Sequence, residues 1–148
     1  MTATLTEALL APDTRPLVVT DCKALLEHEV SGLSGISGAA VKLAYKTVVV
    51  FSPDHIRYMV DTLLPQMTEE LEPYWAEFGA SDDAEFGTYL ARHGEKVAEA
   101  LLSVTDARGR ASSRPVIIKA YGAVRERATK HVIAALPQVG SLVQKYAS

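Results

Sequence analysis

A chain of 148 residues, 48% hydrophobic and 22% charged, reads as one ordinary soluble globule that needs no disulfide or metal staple. Its single cysteine, Cys22, excludes a disulfide framework and any multi-cysteine zinc site. The net charge of −3 conceals a division: residues 1–107 hold 7 Lys/Arg against 17 Asp/Glu, while residues 108–148 hold 8 Lys/Arg against Glu126 alone.

Along the chain, Met1-Thr2-Ala3-Thr4-Leu5-Thr6-Glu7 has no basic stretch of the kind that opens a signal peptide. Together with the lone Cys22, this gives the reducing cytoplasm as the expected compartment. Residues 1–14 read as a loosely attached N-terminal segment of a single helical domain spanning 1–148. Pro16, Pro53, Pro65, Pro115 and Pro137 each stand just before an apolar pattern of helical period, where a missing N–H costs nothing. After Pro16 the stripe is Val19, Cys22, Leu26 and Val30, with Glu29 on the same arc and expected to pair with Lys42 or Lys46.

The repeat Ser31-Gly32-Leu33-Ser34-Gly35-Ile36-Ser37-Gly38 invites a phosphate-loop reading with Lys42, but no Gly-Lys-Ser/Thr follows and no Gly-x-Gly-x-x-Gly is present. A connector or a site of close backbone approach is the expectation. Ala39 to Phe51 is apolar on nearly every side, with Lys42 and Lys46 on one polar stripe. Such a helix predicts a central position among other helices. At about 13 residues it is too short for the roughly 20 that a bilayer span needs.

Ser52-Pro53-Asp54 reads as a helix start with a serine cap, followed by the stripe Ile56, Val60, Leu63. His55 falls in that first turn. Met67, Leu71, Trp75 and Phe78 follow Pro65, with a kink or split expected at Pro73. Asp82 and Glu85 suggest a capping-box variant, opening one helix with Phe86, Leu90, Val97, Leu101 and Val104 on its apolar face. His93 lies on that face and reads as a core histidine. Ile117, Tyr121, Val124, Ala128, Val132 and Ala135 follow Pro115, and Val139, Leu142, Val143 and Tyr146 predict a short closing helix after Pro137. Strand signals are confined to Val48-Val49-Val50-Phe51, which lacks a hairpin partner. The expected fold is all-α: a single-domain bundle of about six or seven helices with no sheet.

Chemistry is sparse. His28, His55, His93 and His131 have no further His or Cys at helical metal-ligand spacing, so no metal site is expected. The carboxylates Glu69, Glu70, Glu72, Glu77, Asp82, Asp83 and Glu85 read as a solvated face rather than an acid–base pair. Cys22 reads as a small hydrophobe. No Gly-x-Ser-x-Gly elbow anchors a nucleophile. No catalytic residue and no cofactor are called, and a binding role is preferred to an enzymatic one.

Candidate binding residues come from the basic C-terminal portion. Arg108, Arg110 and Arg114 are expected in a loop, with Lys119, Arg127 and Lys130 on the helix face opposite Ile117, Tyr121 and Val124. Pairing of this segment with acidic residues of the 54–106 region, or with another copy, is the competing expectation. The leading function is a helical module for protein–protein contact or self-association. The alternatives are a carrier of an apolar small molecule, lined by Ala39–Phe51 and the Met67, Leu71, Trp75, Phe78 stripe, and electrostatic nucleic-acid binding. Nucleic acid is the least supported partner, because no helix-turn-helix signature or base-stacking aromatics accompany the charge.

Ser34-Gly35, Ala44-Tyr45-Lys46, Leu63-Leu64-Pro65 and Leu71-Glu72-Pro73-Tyr74, with Ala134-Ala135-Leu136-Pro137 near the end, resemble a family of uncharacterised small helical proteins from high-GC bacteria. The resemblance implies a helical fold and no assigned activity.

Overall fold

The computed structural model describes residues 4–111 and 128–147, with Pro115, Ile118, Lys119, Gly122 and Arg125 between them; the side chains at 37 and 109–111 lie outside that description. Seven helices follow one another and no strand occurs among the described residues: α1 (Leu5–Leu9), α2 (Arg15–Ser31), α3 (Gly35–Phe51), α4 (His55–Gly79), α5 (Phe86–Arg92), α6 (Gly94–Ala111) and α7 (Ala128–Ala147). The all-α expectation holds.

The centre of the fold is a helix crossing with almost no side chain in it. A Cβ added to Gly140 of α7 would stand 2.2 Å from the Gly87 Cα of α5, and one on Gly87 would stand 2.5 Å from the Pro137 carbonyl oxygen. Only glycine allows two backbones to approach so closely. Around this point Phe86 sits edge-on to Trp75 at 5.0 Å, and Phe78 closes a three-ring cluster at 5.3 Å from Phe86 and 5.5 Å from Trp75. Leu90, Val97, Leu101, Leu136 and Val143 complete the core. Gln144 of α7 ties the start of α5, accepting from Phe86 N at 2.9 Å and donating to the Ala84 carbonyl at 3.1 Å. That long-range amide replaces the Asp82/Glu85 capping box, because the cap position is Glu85 and its side chain makes no capping bond.

Prolines interrupt less than expected. Pro65 and Pro73 lie inside the continuous α4, and Pro137 lies inside α7 rather than before a separate closing helix. A proline at 65 deprives the Asp61 carbonyl of its helical donor, and Arg15 Nη2 supplies one at 2.8 Å from α2. The helix expected from Asp82 is instead two, α5 and α6, which break at His93. α4 begins at His55 rather than at Pro53, while Ser52 closes α3.

Two placements overturn the sequence reading. The described part of the 1–14 segment is not loosely attached: Leu5 and Leu9 are buried in the core, and Glu72 accepts the Thr6 N–H at 2.8 Å. Conversely, the Ala39–Phe51 stretch is not central. Among the described residues α3 packs mainly on α2 and α4, burying Val41 and Val48 and turning much of its apolar surface outward.

The last turn of α7 is fastened to α2 by Asp21, which accepts a short hydrogen bond from the Tyr146 hydroxyl and an ion pair from Lys145 Nζ at 3.0 Å. The Tyr146 and Lys145 donors hold the Asp21 carboxyl below the ordinary aspartate range. A lowered folded-state pKa contributes stability above the unfolded value and loses it as pH falls through the folded one. Asp21→Asn should therefore lessen the acid dependence of the denaturation midpoint between neutral pH and pH about 3; an unchanged slope would contradict the assignment. For the crossing, Gly140→Ala should cost about 3 kcal/mol or more in urea denaturation. Gly79→Ala, with open space around its Cβ, should stay within about 1 kcal/mol.

Candidate functional site

On α3 the outward face carries Ile36, Leu43 and Val50, 93%, 67% and 64% exposed, with Phe51 at 69% beside them. The three recur at intervals of seven, so they form one stripe along the helix, with Ala40 and Thr47 between. α3 contains no acid, and its exposed Lys42 and Lys46 flank the stripe on one side. Large apolar groups clustered on one exposed face are the mark of a contact surface, whereas scattered ones are ordinary.

Where the first turns of α2 and α4 meet, a groove of about 590 Å³ opens to solvent. Pro12, Pro16 and Val19 form one side; Asp54, Arg57 and Tyr58 line the α4 side. Arg15 is committed to Asp61, through Nε to the carboxylate and Nη2 to the carbonyl, both at 2.8 Å. Arg57 is not so committed. Its guanidinium donates to Thr20 Oγ1 at 3.0 Å and the Pro16 carbonyl at 3.4 Å, both neutral, and no carboxylate among the described residues forms an ion pair with it. Arg108, from α6, lies 5.9 Å over the Tyr58 ring and donates to its hydroxyl at 3.4 Å, again without a carboxylate partner among the described residues.

The candidate basic residues therefore separate. Arg108 is helical, not in a loop, and stands beside the groove, half-buried. Lys119 and Lys130 are exposed. Arg114, Arg127 and the Arg110 side chain lie outside the described residues. Part of the basic segment does meet the 54–106 region: Arg125 holds Asp106 through two bonds of 2.8 and 3.2 Å. Arg57 and Tyr58 were not among the sequence candidates. The available signal was an aromatic off the apolar arc of Ile56, Val60 and Leu63.

Other expectations also shift. Glu29 pairs with neither Lys42 nor Lys46 among the described ion pairs; Glu27 instead meets Lys23 at 2.8 Å and Tyr45 at 3.3 Å. The apolar carrier's lining is not assembled, because Leu71 and Trp75 are consumed in the core while α3 faces outward. His93 is half-buried at the α5–α6 break, its ring 4.8 Å from Tyr89 and 6.3 Å from Tyr74. Among the described residues no group of three His, Cys, Asp or Glu side chains could hold a metal, and no helix is long and apolar enough to cross a membrane.

The stretches Ser34–Lys46, Leu63–Tyr74 and Ala134–Pro137 lie on α3 with the turn that enters it, on α4 and on α7. The model of a family of unknown function, DUF6918, matches residues 5–147, every helix described above. The chain belongs to the DUF6918 family. No curated protein and no solved structure matches it. The family carries no assigned activity, so chemistry has to be argued from the side chains themselves.

Cys22 illustrates the point. Burial, with the Asp21 charge adding to it, pushes its thiol up to about 11. At pH 8 only about one thiol in a thousand is then ionised, and the thiolate is the nucleophile. Disulfide-exchange reagents should label folded protein at least about tenfold more slowly than protein in denaturant at that pH; equal rates would show an accessible, ordinary thiol.

Proposed function

We propose that this DUF6918 protein is a helical interaction module that acts by docking, with α3 as its contact helix. The observation that carries the reading is the exposed stripe Ile36, Leu43, Val50 on a helix whose inner face packs on α2 and α4. Leaving three large aliphatic side chains and Phe51 in water forgoes stabilisation of the order of 1.5–3 kcal/mol for each side chain that burial would bring. A covering partner recovers it.

The occupant proposed is the α3 helix of a second copy. The interval of seven is the repeat by which two helices pair along one seam, and Ala39 and Ala40 beside the stripe let the two backbones approach. Lys42 and Lys46 stand on one side of the stripe, so in an α3–α3 pair they lie at the rim and leave the apolar seam free of charge. A single cysteine, with no disulfide to maintain, supports the cytoplasm as the setting in which this module works.

The test is the mass in solution by light scattering across a concentration series. The native chain should show a concentration-dependent dimer, and Leu43→Asp should return it to the 16.0 kDa monomer without altering its helical circular dichroism. A native chain that stays monomeric at millimolar concentration would overturn the second-copy reading.

A further inference from the structure

We propose that the groove between the starts of α2 and α4 binds a small molecule carrying an oxyanion, a carboxylate or a phosphate, on a flat apolar body. This goes beyond the docking role of α3 and rests on different residues.

The argument starts from Arg57. A guanidinium presents a planar fork of donors matched to the two oxygens of a carboxylate or phosphate. In this protein the neighbouring arginine, Arg15, has a carboxylate partner in Asp61, whereas Arg57 is steadied by two neutral oxygens of α2 that orient it without neutralising it. It lines the groove from the first turn of α4, at the positive end of a helix of 25 residues. A second guanidinium, that of Arg108, stands beyond the lining residues, over the ring of Tyr58.

The rest of the lining specifies the body of the ligand. Pro12, Pro16 and Val19 give an apolar side, and the 56% exposed Tyr58 ring gives a flat one. The volume of about 590 Å³ falls within the range of small-molecule sites. Asp54 is the opposing element. Its carboxylate makes no capping bond at the start of α4, stands exposed at the edge of the groove, and repels an anion held by Arg57. Asp61, the other carboxylate of the lining, is paired with Arg15, so Arg57 with Arg108 beyond Tyr58 outweighs Asp54, and the sign of Asp54's effect supplies a test.

The probes are phenyl phosphate and benzoate, titrated calorimetrically into full-length protein, with benzyl alcohol to remove the charge and inorganic phosphate to remove the body. Saturable binding of one aromatic anion is expected, tighter than benzyl alcohol or inorganic phosphate, and weakening as salt rises. The arm that binds more tightly identifies the oxyanion. Arg57→Gln should weaken it about tenfold or more, Arg57→Lys by less, and Arg108→Gln by a few-fold. Asp54→Asn should tighten it, a gain that misfolding cannot produce. Arg92→Gln, which removes a cation paired with Asp83 elsewhere, should leave it unchanged. Leu43→Asp should also leave it unchanged, so failure of α3 docking and failure of this site are read separately. No saturable binding by the native protein up to about 10 mM, or binding indifferent to both Arg57→Gln and Asp54→Asn, would overturn the proposal.

Discussion

The contact between Gly87 and Gly140 is the constraint on which the rest of the structure rests. Two helices whose backbones touch have one relative position, since sliding either past the other drives the next side chain into the partner's carbonyls. That position puts Phe86 against Trp75 and Phe78, brings Gln144 to the open end of α5, and lays α7 across α1, α2 and α6. The seat at the centre of the bundle is thereby taken by α7. α3, which reads in sequence as the most apolar of the helices, is left to pack on the outside of α2 and α4.

This explains which features the sequence revealed. The helical class, the arcs carrying Leu90, Val97 and Leu101, and the entry to α2 beside Pro16 are local: they depend on period and on proline's fixed φ. The Gly87–Gly140 crossing is not local. Gly140 is needed because another backbone passes it, and nothing within its own helix records that. Proline misleads for a related reason. Pro65 is tolerated within α4 because Arg15, 46 residues before Asp61 in the chain, donates to the carbonyl it leaves open. Apolar periodicity, likewise, tells which face of α3 needs cover but not whether the cover lies in the same chain.

The charge division resolves in the same terms. Part of the basic segment is spent within the molecule, with Arg125 on Asp106 and Lys145 on Asp21. Those pairs are half-exposed and contribute modestly, but they remove two cations from the free surface. Arg108 has a different setting, an aromatic ring rather than a carboxylate. The sequence could single out Arg108 by composition; it could not show that Arg108 would stand over Tyr58, the chain neighbour of Arg57 in the acidic part of the chain.

Stripe and groove meet at one corner. Val50 and Phe51 end α3, and only the turn through Pro53 separates them from Asp54 and Arg57. Their physics nonetheless differs. Contact through Ile36, Leu43 and Val50 removes apolar surface from water and gains from salts that strengthen burial, whereas an oxyanion on Arg57 is screened by the same salts. A helix docked along α3 also leaves the groove open, because its other wall is supplied by Pro12, ahead of α2, and by Pro16 and Val19 of α2. The two surfaces are therefore adjacent in space but separable by ionic strength. A ligand at the start of α4 can bear on α3 through the Ser52–Asp54 turn and through the packing of α3 on α2 and α4, so any coupling between them passes through those contacts.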